Sequence, residues 1–130
     1  MDEGNVIEVN DKNWEEIVEK QNKAVVVMFY LTTCQHCKLI EPYFRQFARE
    51  FKDSCKFLMI NVLDNQWTSS RYGIMATPTF KFFCKGFPVK EEVGAVQPEA
   101  LKKSIKLFIE HGEECVLKRT EVDYGVSPYV

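Results

Sequence analysis

Two cysteines three residues apart, Cys34 and Cys37 in the run Cys34-Gln35-His36-Cys37, are the residues of this chain best suited to chemistry. They follow an apolar run, Ala24 to Leu31, and open an amphipathic segment from Lys38 to Phe51. In the first turn of a helix, positions three apart have neighbouring α-carbons about 5–6 Å from each other. A disulfide spans roughly 4.4–6.8 Å between α-carbons, so the pair can close and reopen without moving the backbone. A helix N-terminus also favours a thiolate, because unpaired N–H groups and the macrodipole point at the sulfur. Cycling between dithiol and disulfide is the chemistry this suits. Half of a zinc site is the bland alternative, but tetrahedral zinc needs two more ligands, usually a second close pair, and the sequence has no such pair. Haem attachment needs a histidine after the second cysteine, where Lys38 stands.

The elements that must position this pair can be read on either side of it. Val6-Ile7-Glu8-Val9 is short and extended in character, and Asn10 and Asp11 are N-cap candidates for a helix to about Lys20 with Trp14, Ile17 and Val18 on one face. The Ala24–Leu31 run lacks polar alternation and reads as a central strand covered on both faces. From Gln35 to Phe51 the apolar set Leu39, Ile40, Tyr43, Phe44, Phe47 and Phe51 keeps helical spacing, with Pro42 set to kink the helix. Lys56 to Val62 is a second buried strand, and Asp64 to Tyr72 carries a short helix or turn. Thr79 to Cys84 turns through Lys85-Gly86 into Pro88 to Val93, a hairpin. Gln97-Pro98 opens a last helix with Leu101, Ile105, Phe108 and Ile109 as its buried stripe and Gly112 as its close.

The order β-α-β-α-β-α-β-β-α predicts an α/β fold, a mixed sheet of four to five strands with helices on both faces. One domain of residues 1–112 is expected. Residues 113–130 read as a tail, either disordered or folded back through Val116, Leu117, Val122, Tyr124 and Val126.

The bulk properties narrow the setting. At 130 residues the chain fits one domain with a proper core, and a net charge of −2 gives no reason to expect nucleic-acid or anionic-membrane binding. No apolar run approaches the ~20 residues of a membrane helix, and the polar, acidic Met1 to Asn5 does not read as a signal peptide. Five cysteines is an odd count and sparse for a secreted disulfide scaffold. A reducing, cytoplasmic location and a monomer are expected. Cys55 reads as a loop thiol and Cys84 as buried strand packing. Cys115 reads as an inert thiol in an acidic segment, with an intermolecular disulfide as the alternative. His111 reads as a helix-end residue favourable to the dipole.

From about Val6 to His111 the sequence resembles the thioredoxin family. Besides Cys34 and Cys37, the likeness is carried by Lys38 and Pro42 after the pair, by Tyr72-Gly73-Ile74 before Thr77-Pro78-Thr79, and by Val93-Gly94-Ala95. The resemblance implies a cis proline at Pro78 and a glycine at Gly94 facing the active site. It implies that Cys34 is the nucleophile and Cys37 the resolving thiol. Thr33, Thr77, Pro78 and Gly94 would then bind substrate, with the Thr77 backbone pairing with an extended strand. Protein disulfides would be the substrates, a reductase or small thiol the electron donor, and no cofactor would be needed.

The departures from the family matter for function. Thr33 stands where the family usually has tryptophan, and Met28 where it usually has a buried aspartate. That aspartate's lysine neighbour falls at Met59. Losing one member of a buried ion pair is costly, whereas replacing both can be neutral or stabilising. The change also removes the group thought, in the family, to relay the resolving cysteine's proton. His36 before the second cysteine resembles the protein disulfide isomerases, and an imidazolium there would stabilise a Cys34 thiolate. That predicts a potential more oxidising than the about −270 mV of thioredoxin, toward the about −180 mV of the isomerase. A thioredoxin-fold adaptor or chaperone module, binding partners around Thr33, Thr77 and Gly94, is the alternative from another class. An isomerase-like domain of a longer chain is a third.

Overall fold

The computed structural model describes residues 5–111. The tail and its Cys115 lie outside the described residues, as does Gly112. Five strands, β1 (Ile7–Val9), β2 (Ala24–Tyr30), β3 (Cys55–Asn61), β4 (Thr79–Cys84) and β5 (Phe87–Val93), form one sheet in the order β1-β3-β2-β4-β5. The first three run parallel, while β4 and β5 are antiparallel to their neighbours. Three α-helices complete the α/β fold: α1 (Gln35–Glu50), α2 (Gln66–Arg71) and α3 (Pro98–Glu110).

β2 is central because its middle five residues, Val25 to Phe29, are buried on both faces. Successive side chains alternate between faces, so the strand feeds two cores. On one face Val26, Met28, Phe57, Met59, Phe80 and Phe82 pack against Cys37, Ile40, Phe44 and Phe47 of α1 and Leu101, Ile105 and Phe108 of α3. Phe44 joins helix to sheet, its ring 5.3 Å from Phe57 and 5.7 Å from Phe80. On the other face Val25, Val27, Phe29, Leu58, Ile60 and Phe83 pack around Trp14 and Val18.

Three expectations from the sequence are corrected here. The segment after β1 is not an α-helix capped by Asn10 or Asp11. It is a π-helical turn, Glu15–Glu19, closed by the Lys20 N–H donating to the Glu15 carbonyl at 2.9 Å. Asn10 instead accepts from the N–H groups of Lys12 and Asn13, while Asp11 accepts from the Thr68 N–H of α2 at 2.9 Å. Asn65 closes that link by accepting from the Asp11 N–H. The cap thus serves a helix 57 positions away.

The buried stripe of α1 is also narrower than the apolar spacing implies. Ile40, Phe44 and Phe47 are buried, but Leu39 is 62% exposed and Tyr43 45%. Cys55, finally, is no loop thiol. It is the first residue of β3, buried, and desolvation pushes its thiol up to about 12. The hairpin does turn at Lys85-Gly86, where both residues have positive φ (51° and 86°), as a two-residue primed turn requires.

Candidate active site

Cys34 is the N-cap of α1, in extended conformation, and Cys37 lies within the first turn. The two are joined by a disulfide with their α-carbons 5.2 Å apart. The Cys34 sulfur accepts the backbone N–H of Cys37 at 3.1 Å, as a serine or aspartate oxygen would at this position. A thiolate at Cys34 would therefore already have a donor aimed at it. Cys34 is partly exposed, while Cys37 is 3% exposed and packs into the core below. The outer sulfur is open to attack and the inner one is shielded. Thr33, Gln35 and His36 are exposed around them.

The other residues singled out from the sequence reach this end of the sheet by register. Phe29 of β2 lies opposite Thr79 of β4, and β4 runs antiparallel to β2. One step further along, Pro78 and Thr77 therefore stand outside the ladder, beside the Tyr30–Leu31 exit that leads to Cys34. The Thr77–Pro78 peptide bond is cis. β5 ends opposite, with Val93 facing Thr79, and Gly94 donates its N–H to the Pro78 carbonyl at 2.8 Å. Gly94 has φ +91°, a conformation that side chains rarely adopt. The Thr79 hydroxyl donates to the Ala76 carbonyl at 2.6 Å and fixes the approach to the cis bond.

Below the disulfide, Met28 and Met59 are register partners on β2 and β3, both essentially buried. Charged groups surround this pair at its edge. Glu8 of β1 pairs in register with Met59, and the Tyr30 hydroxyl donates to Glu8 at 2.7 Å. Arg45 of α1 holds Glu41 at 2.9 Å and reaches to 3.8 Å from the Met59 sulfur. Burial raises the Glu8 carboxyl above its ordinary value against the opposing pull of the Tyr30 bond and Arg45, and Glu41 adds to the rise. Burial and the Glu8 carboxylate likewise raise the Tyr30 phenol. Sequence reading missed this cluster. Glu8 and Tyr30 are 22 positions apart, and nothing in either local pattern signals the other.

Among the described residues, no group of three or more His, Cys, Asp or Glu side chains could hold a metal, and no helix is long and apolar enough to cross a membrane. A partly exposed sulfur with a donor in place, joined to a buried sulfur one turn on, is an arrangement for thiol–disulfide exchange.

Comparison with known proteins agrees with this geometry. The thioredoxin family model matches residues 5–107. An M-type chloroplastic thioredoxin of Brassica napus is 35% identical over 102 residues, 78% of this chain and 58% of that protein. Thioredoxin M4 of Arabidopsis thaliana is 34% identical over 101 residues, so the chain spans little more than half the length of these plant relatives (52% for the second). A thioredoxin of Haemophilus influenzae is 31% identical over 104 residues, 80% of this chain and 97% of that one. The crystal structure of Malassezia sympodialis thioredoxin superposes with a TM-score of 0.75 at 30% identity, covering 82% of this chain and 92% of that one. The likeness thus extends through the sequence and not only through the fold, and the chain belongs to the thioredoxin family.

Proposed function

We propose that the chain is a thiol–disulfide oxidoreductase acting on protein disulfides. The observation that carries this reading is the Cys34–Cys37 disulfide at the start of α1, one sulfur partly exposed and the other buried. In the reduced state the Cys34 thiolate attacks a substrate disulfide, forming a mixed disulfide and expelling one substrate thiolate. Cys37 loses its proton and attacks the Cys34 sulfur, releasing the second substrate thiolate and restoring the intramolecular disulfide. Two electrons pass to the substrate. A reductase or small thiol then supplies two electrons to reopen the pair, and no cofactor is required.

Thr33, Thr77, Pro78 and Gly94 form the substrate face in this reading. Support for it comes from register, which brings the Thr77–Pro78 bond and Gly94 to the edge from which Cys34 emerges. His36 serves by tuning the Cys34 thiolate. In this reading the protein acts as a monomer in electron transport within a reducing, cytoplasmic setting.

Insulin-disulfide reduction, run with wild type and Cys34→Ser beside a glutathione titration of the pair, tests this. Activity lost in the variant, with a defined two-electron potential in the wild type, is the expected result. Activity indifferent to Cys34, or a pair that does not cycle, would move the assignment to an adaptor module binding through the same face.

A further inference from the structure

On the oxidoreductase reading, Cys37 must lose its proton before it can attack the Cys34 sulfur. Its surroundings do not supply an acceptor. Cys37 is 3% exposed, and the buried side chains of its core cluster include no carboxylate or amine. Met28 and Met59, register partners within that cluster, are thioethers. An acceptor therefore has to stand at the rim of the cluster. Tyr30 is partly buried and packs against it from the end of β2. Its hydroxyl donates to the Glu8 carboxylate of β1 at 2.7 Å.

The course of α1 over the sheet sets Tyr30 level with Cys37. The Cys34 N–H donates to the Leu31 carbonyl at 3.2 Å, just past the end of β2. The Phe44 ring, further along the helix, lies 5.7 Å from Phe80 and 5.3 Å from Phe57. Phe80 is the register partner of Met28, and Phe57 that of Val26. α1 therefore runs back along β2, from Leu31 toward Val26. Cys37 precedes Phe44 by seven helix residues, a rise of about 10 Å, which is about three strand residues. Three residues on from the midpoint of Val26 and Met28 is Tyr30. Side chains at 26, 28 and 30 share one face, the face that α1 covers. Arg45 and Glu41 of α1 and Asp64 beyond β3 are the other charged groups near the pair. Arg45 holds Glu41 at 2.9 Å, which leaves Glu8 as the carboxylate bonded to the phenol. Partial burial raises Glu8 above its ordinary value and makes it a better match for a thiol proton. Burial and the Glu8 carboxylate raise the Tyr30 phenol, so it stays neutral between transfers.

We infer that Tyr30 and Glu8 form a proton relay for the resolving thiol. As Cys37 attacks, its S–H bond breaks and the proton passes to the Tyr30 oxygen. The proton already on Tyr30 moves along the hydrogen bond to the Glu8 carboxylate. The electron pair left on the Cys37 sulfur forms the bond to Cys34. The bond between Cys34 and the substrate sulfur breaks, and its pair leaves on the substrate thiolate. Glu8 is exposed at the rim and returns the proton to solvent. The relay rests on the oxidoreductase reading above, since only thiol exchange requires this proton to leave.

The test uses the full reduced chain and a nitrobenzoate disulfide whose thiolate product is coloured. Attack by Cys34 releases a first thiolate and resolution by Cys37 a second, and Cys37→Ser, which keeps only the first, marks the two phases. Glu8→Gln and Tyr30→Phe are compared with wild type. Glutamine still accepts from the phenol and phenylalanine still fills the place of the ring, so both variants should fold. The second phase should slow about tenfold in each, less than a fully positioned base contributes because water competes at the rim. In wild type its rate should rise with pH as the Glu8 carboxyl ionises, above 4.5. In Glu8→Gln that rise should vanish, leaving the dependence on the Cys37 thiol at higher pH, while the first phase keeps its rate. A wild type without a second phase would sink the oxidoreductase reading and the relay together. A second phase whose rate and pH profile Glu8→Gln leaves unchanged would overturn the relay alone. Slowing by Glu8→Gln but not by Tyr30→Phe would also overturn it, because the phenol would not be the path.

Discussion

On the proposed function, His36 between the two cysteines is the side chain expected to tune how readily electrons move. Cys34 already accepts the Cys37 N–H when oxidised, and a thiolate there would gain more from that donor and from the helix dipole. His36 is exposed beside it, one position before the buried Cys37. An imidazolium at this exposed place would add a modest, salt-screened stabilisation of the thiolate. Stabilising the reduced dithiol makes the disulfide the stronger oxidant. His36→Ala should therefore shift the pair toward a more reducing potential, by about 10–30 mV, since 30 mV corresponds to about 1.4 kcal/mol for two electrons. Glutathione titration at low and high salt measures this. A shift in the oxidising direction would remove His36 from the account. The variant should also cut the rate at which Cys34 is alkylated near neutral pH, because less of it is thiolate.

Two secondary-structure junctions tie together elements that are far apart in the sequence. The π-helical turn is tied to the end of α2 through Glu19, which accepts from the Trp14 indole at 3.1 Å, the Tyr72 hydroxyl at 2.9 Å and Arg71 at 2.7 Å. Burial alone would raise the Glu19 carboxyl, but the bonds from Tyr72, Arg71 and Trp14 together outweigh it and hold the group below 4.5. A carboxyl lowered on folding stabilises the protein above its unfolded value, and that contribution disappears as pH falls through the folded value. Glu19→Gln should then cost about 1–2 kcal/mol at pH 7, and urea unfolding should show the gap closing toward pH 3. A gap independent of pH would mean that the charge contributes nothing. The hairpin turn meets the same turn of helix from the other side. A β-carbon at Gly86 would overlap the Glu19 carbonyl, and its φ of +86° disfavours any side chain. Gly86→Ala should destabilise by about 2–3 kcal/mol, read as a lowered denaturation midpoint with an unchanged slope. The sequence made the strands and α1 legible because their signals are local. An apolar run without alternation marked β2, and the cysteine spacing marked the start of α1. It misplaced the caps because Asp11 is taken up by Thr68, and it widened the α1 stripe because spacing alone does not say which of two apolar rows is covered. The same limit hid Glu8 and Tyr30, while Thr77-Pro78 and Gly94 could be read from short stretches of chain.

Across the whole molecule the sheet works as a board, with the redox pair beyond one end of its central strand. One row of register partners runs Glu8, Met59, Met28, Phe80, Glu92, ionisable at both ends and apolar in the middle. The middle is where the family usually carries an aspartate and a lysine. Arg45 reaches the Met59 sulfur from α1, so a cation approaches the row from outside without being buried in it. The sheet has exchanged a buried pair for two thioethers, and the two sites should therefore behave as one unit. Met28→Asp alone strands a carboxylate in the core and should cost about 3–5 kcal/mol. Met59→Lys alone strands an ammonium and should cost a similar amount. In the double variant the two charges face each other across adjacent strands. Their coupling should recover several kcal/mol, measured as a double-mutant cycle in urea. Additive losses would show that the Met28–Met59 register does not bring the two side chains within pairing distance. On the proposed mechanism, the aspartate of a double variant that folds would share the core cluster of Cys37 and accept the proton that the resolving thiol loses. Release of substrate from the mixed disulfide should then accelerate relative to wild type, seen in single-turnover insulin reduction. A stable double variant with unchanged release would show that Cys37 loses its proton by another route, and the Glu8–Tyr30 pair at the margin of the same row would be the next groups to alter.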